Sequence, residues 1–249
     1  MKKMFRFREN LKVLLLTFLV FLAYSSVFAG AKETRIVIEN DGWNLIGDLQ
    51  IPKSKKLVSA VILLNKANGN RQVYEKLASH LAENGIASLR IDLRGHGESI
   101  NKGKFVPFQE NATEILNDTD KDIFAITKYL KAVKGIDPNR IGFVGASYSG
   151  EEMAVSARKN GYEKAYVALS PGSFSEESVK AIDSSKAAWF FIKSVDERAR
   201  TLKDFFATIR RQSKTAQTME IAGDKHATDI LDSNPELAEM IAIWFKYHL

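Results

Sequence analysis

No cysteine occurs anywhere in the 249 residues. Disulfide scaffolds, cysteine-bound zinc and thiol nucleophiles are therefore excluded, as is a lipid anchor attached at a cysteine behind an export signal. Histidine is scarce as well. The four residues His80, His96, His226 and His248 do not fall at metal-ligand spacing, and His-Glu-x-x-His is absent, so neither a metal nor another cofactor is implied. The phosphate pattern Gly-x-x-x-x-Gly-Lys-Ser/Thr is missing, and GFVGASYSG does not fit Gly-x-Gly-x-x-Gly. There is no internal repeat, no low-complexity tract and no linker rich in Pro, Gly or Ser. What remains, at 45% hydrophobic and 27% charged content, is the composition of one globular domain.

A formal charge of +6 raises the question of nucleic acid or an acidic membrane as partner. The charges answer it by their position. Lys2, Lys3, Arg6, Arg8 and Lys12 precede the apolar run Val13 to Tyr24, and the small residues Ala29 and Ala31 follow, which is the order of a secretory signal peptide. The run is roughly 12 residues, short of the ~20 that span a bilayer, and extending it brings in Ser25 and Ser26. The expectation is a signal peptide over residues 1–29, cleaved after Ala29 or Ala31, with a single domain over 32–249 that is periplasmic or secreted. An uncleaved signal anchor is the alternative. Without the leader the balance is 31 basic against 29 acidic residues, so nucleic acid loses its support as partner and no stable membrane insertion is expected.

The rest alternates between two periods. TRIVIEN, the turn pair Asp41-Gly42 and WNLIGDLQIP read as an opening hairpin. SAVILLN is a continuous apolar run of the kind buried on both faces of a parallel sheet. Helical spacing follows in Val73, Leu77 and Leu81, closed by Asn84-Gly85, and IASLRID is a strand. Ile123, Ile126, Leu130 and Val133 place a helix over about 118–133, and RIGFVG is the next strand. A helix after Gly150, the strands AYVALS and AAWFFIKSV, a helix near 198–211 and the strand TMEIAG continue the cycle. A last amphipathic helix sets Leu237, Met240, Ile241, Trp244 and Phe245 on one face. Such a pattern means an α/β sandwich with a mainly parallel sheet.

On such a sheet chemistry gathers at the carboxyl ends of the strands. There, the strand IGFV runs into Gly145-Ala146-Ser147-Tyr148-Ser149 and then a helix near Gly150. A serine on that turn is forced into a tight conformation with its hydroxyl exposed, and its neighbours must be small. Ser149 stands where a glycine is commoner, with Gly150 one step later. A catalytically idle Gly- and Ser-rich loop is the competing reading of this pentapeptide.

A second loop adds weight. IASLRID leads into Asp92-x-Arg94-Gly95-x-Gly97-x-Ser99, which resembles a recurrent loop of the α/β-hydrolase superfamily, and the likeness runs from the Asp41-Gly42 hairpin to the final helix. The resemblance implies a twisted, mainly parallel sheet of about eight strands with helices on both faces. It also implies that the Asp92 loop is structural, so that His96 is not a catalytic base. A serine hydroxyl needs a base oriented by a carboxylate, and the superfamily arranges these in the order nucleophile, acid, histidine. Asp196 stands at the end of AAWFFIKSV and His226 follows TMEIAGDK, giving Ser147, Asp196 and His226 as the expected triad. Asp196 as a helix cap and His226 as a surface residue are the plainer alternatives, and Glu197, Glu176 and Glu177 are the fallback acids. His80 and His248 read as solvated or packing residues.

The implied oxyanion hole takes one backbone N–H from Tyr148 and a second from the loop Asn65–Asn70. Many relatives carry His-Gly where Asn65-Lys66 stands. A backbone donor tolerates side-chain change, which leaves Lys66 or Ala67 for the role. The connection 171–186 is too short for a cap domain, so an open site is expected. Phe105 and Phe108 are candidate pocket walls, or simply pin their loop. Tyr148 beside the serine is similar to the elbow of the prolyl-oligopeptidase-like group, which brings amides and peptides alongside esters as substrates. The expected activity is a serine hydrolase acting on a small ester or amide. The alternative is a silent member of the fold that binds a ligand or a partner protein.

Overall fold

The computed structural model describes residues 31–172, 174–197 and 200–249. The expected signal peptide lies outside them. Eight strands form one sheet: β1 (Lys32–Asn40), β2 (Trp43–Ile51), β3 (Val58–Leu64), β4 (Ala87–Ile91), β5 (Ile136–Ala146), β6 (Ala165–Leu169), β7 (Ala188–Ser194) and β8 (Gln217–Ile221). Their order is β1-β2-β4-β3-β5-β6-β7-β8. Only β2 breaks the parallel run, pairing antiparallel with both β1 and β4. The hairpin is turned by Asp41 and Gly42, both at positive φ (51° and 75°), the geometry that an Asp-Gly pair provides.

The connecting helices are α1 (Glu75–Glu83), α2 (Ala112–Asn117), α3 (Thr119–Ala132), α4 (Tyr148–Asn160), α5 (Glu176–Ser184), α6 (Arg200–Gln212), α7 (Asp229–Ser233) and α8 (Pro235–His248). Strand alternation divides the core between the two sheet faces. Ala60, Ile62 and Leu64 of β3 join Phe143, Trp189 and Phe191 under α3, α4 and α5. Val61 and Leu63 join Val144, Val167 and Ile192 under α1 and α8. A strand covered on both faces is apolar nearly throughout, and this accounts for VSAVILL, buried at every position with Ser59 its one polar residue.

Two departures from the sequence reading are local. The connection 171–186 carries a short helix, α5, whose first turn holds Glu176 and Glu177. In α8 the buried face is Leu237, Ala238, Ile241, Ala242 and Phe245, while Met240 and Trp244 are only partly covered. Small alanines at 238 and 242 let the helix roll toward the sheet. Among the described residues no helix is long and apolar enough to cross a membrane.

The topology determines where a site forms. The chain leaves β3 toward β4 on one side and returns to β5 on the other, so a crevice opens beyond the carboxyl ends of β3 and β5. The loops after β3, β5, β6, β7 and β8 all emerge on that edge.

Candidate active site

The turn after β5 is strained in the way the sequence anticipates. Ser147 has φ 55° and ψ −123°, and its N–H donates to Leu169 O of β6 at 2.9 Å. A non-glycine residue in such a region costs on the order of 1–3 kcal/mol, and the surrounding contacts must hold it there. Gly145 is one of them: a Cβ on it would lie 2.7 Å from Gly150 Cα and from Ser149 O. The tight approach is therefore between positions 145 and 150, and position 149 is free to carry a side chain. Ser149 uses that freedom. Its buried hydroxyl accepts from Ala146 N–H at 2.8 Å and has Ala146 O and Leu64 O at 3.0 and 3.2 Å, bracing the elbow against the end of β3. The missing glycine is compensated.

Ser147 Oγ lies 3.0 Å from His226 Nε2. The other imidazole nitrogen, Nδ1, contacts a carboxylate oxygen, and the residue is Glu197. This corrects the expected acid. Asp196 sits in the turn after β7 with an exposed side chain, its own N–H donating to Gly223 O at 2.9 Å. Glu197, one residue later, turns inward and is buried. From the sequence, Glu197 stands only among the fallback acids. Glu176 and Glu177 lie on the exposed first turn of α5 and make no contact with His226.

Glu197 is held from behind by residues the sequence analysis did not single out. Ser170, at the end of β6, donates its hydroxyl to Glu197 Oε2 at 2.8 Å and accepts the Ala227 N–H at 3.0 Å. One side chain thus fixes both the carboxylate and the loop that carries the histidine. Ser194 adds its N–H to Glu197 Oε2 at 3.4 Å and its hydroxyl to Lys225 O at 2.7 Å. The backbone records the same concentration of constraint. Of the seven non-glycine residues at positive φ among the described residues, Asn68, Ser147, Ser170 and Ala227 lie in the loops that border this site. Sequence offered one usable signal for Ser170: a polar residue directly at the end of a buried apolar strand.

The loop after β3 is equally fixed. Asn65, fully buried, accepts Leu93 N–H at 2.9 Å and donates from Nδ2 to Lys66 O at 2.9 Å. Gly69 N–H reaches the same carbonyl at 2.9 Å. In a trans peptide the N–H opposes the preceding C=O, so the Ala67 N–H faces away from Asn65 and Gly69. At the far end Arg71 locks the loop onto Asp92, donating its N–H at 2.7 Å and its Nη1 at 2.6 Å. Glu98 N–H gives Asp92 a third bond at 2.9 Å, and Gly97 has no alternative, since a Cβ there would fall 2.2 Å from the Asp92 carboxyl. Arg35 and Arg71 hold the Glu98 carboxyl down at about 2. The Asp92 loop is thus structural.

His96 is buried in that loop. Its Nδ1 lies 2.8 Å from Arg94 O, and burial lowers its pKa. Its ring stacks between Phe105 at 5.0 Å and Tyr148 at 5.6 Å. Phe105 therefore pins the loop, while Phe108 is wholly exposed at φ 66°. His80 pairs with Glu83 on α1, and His248 packs at a tilt against Trp244. Among the described residues no group of three or more His, Cys, Asp or Glu side chains is placed to hold a metal ion.

By sequence, no protein-family model and no curated protein matches the chain. Solved structures do. It superposes on Est1E from Butyrivibrio proteoclasticus, described with ferulic acid bound, at TM-score 0.67 and 20% identity over 84% of this chain and 98% of that one. Dienelactone hydrolase from Anabaena variabilis gives TM-score 0.66 and 16% identity over 88% and 99%. The 2,6-dihydroxy-pseudo-oxynicotine hydrolase gives 0.68 and 17% over 88% and 68%. This is the α/β-hydrolase fold. On that fold, Ser147 lies at the strand-to-helix turn after β5, Glu197 after β7 and His226 after β8, and Tyr148 opens the helix behind the serine.

Proposed function

We propose that the protein is an exported serine hydrolase that cleaves a carboxylic ester, with amides as the second substrate class. The observation that carries the reading is the continuous chain Ser147 Oγ, His226, Glu197 on the crevice side of the sheet. The names of the solved neighbours, a dienelactone hydrolase and a Pyrococcus furiosus esterase among them, support ester or lactone chemistry. Export is supported by the order of residues 1–29.

Ser147 Oγ attacks the substrate carbonyl carbon while its proton passes to His226 Nε2. Glu197, accepting from Nδ1–H, stabilises the imidazolium and fixes the tautomer. The oxyanion is met by two backbone donors. Tyr148 N–H belongs to the first turn of α4, where amides have no partner within the helix. The second donor is the Ala67 N–H, turned outward by the bonds on the Lys66 carbonyl. Collapse breaks the bond to the leaving alkoxide, which takes the proton from Nε2. Water then attacks the acyl-enzyme by the same route in reverse, releasing the acid and restoring Ser147. With no cap domain over the crevice among the described residues, the acyl group is chosen by the loops that border it.

The test is turnover of p-nitrophenyl esters of increasing chain length beside aminoacyl anilides, using protein without residues 1–29. The expected result is an initial burst and steady ester turnover, absent in Ser147→Ala. A folded protein that turns over neither series, in any chain length, contradicts the reading and leaves a silent, ligand-binding member of the fold.

A further inference from the structure

Lys66 carries a side chain where the backbone of its loop alone would serve the oxyanion, and that side chain reaches across the site. Its ammonium lies 2.6 Å from Asp229 Oδ1, the first residue of α7. Asp229 is in turn tied to the histidine loop, its N–H donating to His226 O at 3.1 Å. The sheet order separates the two partners by β5, β6 and β7, so the loops after β3 and β8 are not neighbours in the sheet. A contact between them has to pass in front of the carboxyl ends of those strands, where Ser147 stands.

We infer that the Lys66–Asp229 ion pair is a positioning tie that holds the oxyanion-donor loop against the histidine loop. The inference rests on the serine-hydrolase reading above. Lys66 is then constrained twice: its carbonyl by Asn65 and Gly69, its side chain by Asp229. Both sets of bonds oppose a shift of the Lys66–Ala67 peptide, whose N–H must meet the oxyanion. The tie joins the donor loop to the base that sits on the opposite side of the nucleophile, so this ion pair adds a direct constraint on the donor–base distance to the bonds that hold each loop on the sheet. The pair is also accessible, with side-chain exposures of 21% and 49%. Salt therefore reaches it, unlike the buried Arg71–Asp92 pair. Neither side chain touches the reacting atoms, and their effect is exerted through the Ala67 amide and His226.

The experiment is a double-mutant cycle of Lys66→Met and Asp229→Asn on steady-state ester hydrolysis, with thermal unfolding of each variant. An exposed pair is worth at most about fivefold, so each single variant is expected to lose about two- to fivefold in kcat with KM unchanged. The double variant should be no worse than either single, because both remove the same tie. Lys66→Arg should restore most of the rate. In 1 M NaCl the wild-type rate should fall toward that of Lys66→Met, which itself should be insensitive to salt. Asp229 is half-exposed on a short helix, so its variant reports on the tie even if Lys66→Met loses stability. Wild-type rates in both singles, losses that multiply in the double, or losses in KM alone overturn the tie while leaving the hydrolase reading intact. A wild type that turns over no ester overturns both.

Discussion

Two buried carboxylates flank the crevice, and they are built for opposite purposes. Asp92, fully buried, takes three hydrogen bonds, one of them from the Arg71 guanidinium. Glu197, also buried, takes bonds from the Ser170 hydroxyl and the Ser194 amide, and its remaining partner is an imidazole. The guanidinium never releases its proton, so the first arrangement is a fixed ion pair that anchors a loop. The His226 side chain is 42% exposed and lies 3.0 Å from Ser147 Oγ, so the second arrangement ends on a hydroxyl group at the crevice. Burial and hydrogen-bond count are similar at the two sites. What separates them is the partner: a buried guanidinium closes the first arrangement, and a part-exposed imidazole leaves the second open to the crevice.

That contrast can be broken from either side. The largest effect is expected from Glu197→Gln: loss of the carboxylate charge and of the tautomer it selects should lower kcat by about 10⁴ with the melting temperature little changed. Arg71→Leu should do the reverse. Leaving Asp92 buried without its cation should cost about 3 kcal/mol or more, seen as a fall in Tm of roughly 6–12 °C in thermal unfolding. Ser170→Ala lies between, because the hydroxyl supports both Glu197 and the histidine loop. It should reduce kcat by roughly 10- to 100-fold and leave KM within twofold in steady-state assays, since a supporting contact is lost but no reacting group.

Glu152 on α4 sharpens the comparison as a carboxyl group raised by its surroundings. Burial, with Asp120 and Glu151 nearby, lifts it from 4.5 to about 7. Between those values the folded protein holds a proton that the unfolded chain has lost, so stability contributed by this group falls as pH rises through the window and is flat above it. Glu152→Gln should therefore be more stable than wild type at pH 8, by a small margin in Tm that closes as the pH approaches 4.5.

The sheet was legible because each interior strand is an apolar run with no other place to go, as in VSAVILL and AYVAL. The elbow was legible because a strained turn demands small residues, and even the Ser149 departure left the decisive glycine visible one position on. The acid was misplaced by one residue. Val195 and Asp196 still follow β8 through bonds to Ile221 O and Gly223 O, and the turn directs Asp196 to solvent before bringing Glu197 inward. Adjacent Asp and Glu offer the same chemistry, and within a turn no two-residue period says which one faces the core. The roles of Ser170, marked only by its place at the end of a buried apolar strand, and of Asp229 were hidden for a related reason. Their importance comes from partners 27 to 163 positions away along the chain, fixed by the fold and not by any local pattern.

The central claim is that Ser147 is activated by His226 and Glu197, and the most direct measurement is the rate at which a fluorophosphonate labels the protein, followed by intact mass in wild type, Glu197→Gln and Asp196→Asn. The account predicts one label per chain at Ser147, formed at the wild-type rate in Asp196→Asn and slowed by orders of magnitude in Glu197→Gln. Rapid labelling of Glu197→Gln together with its loss in Asp196→Asn, or a folded wild type that takes no label, would contradict it.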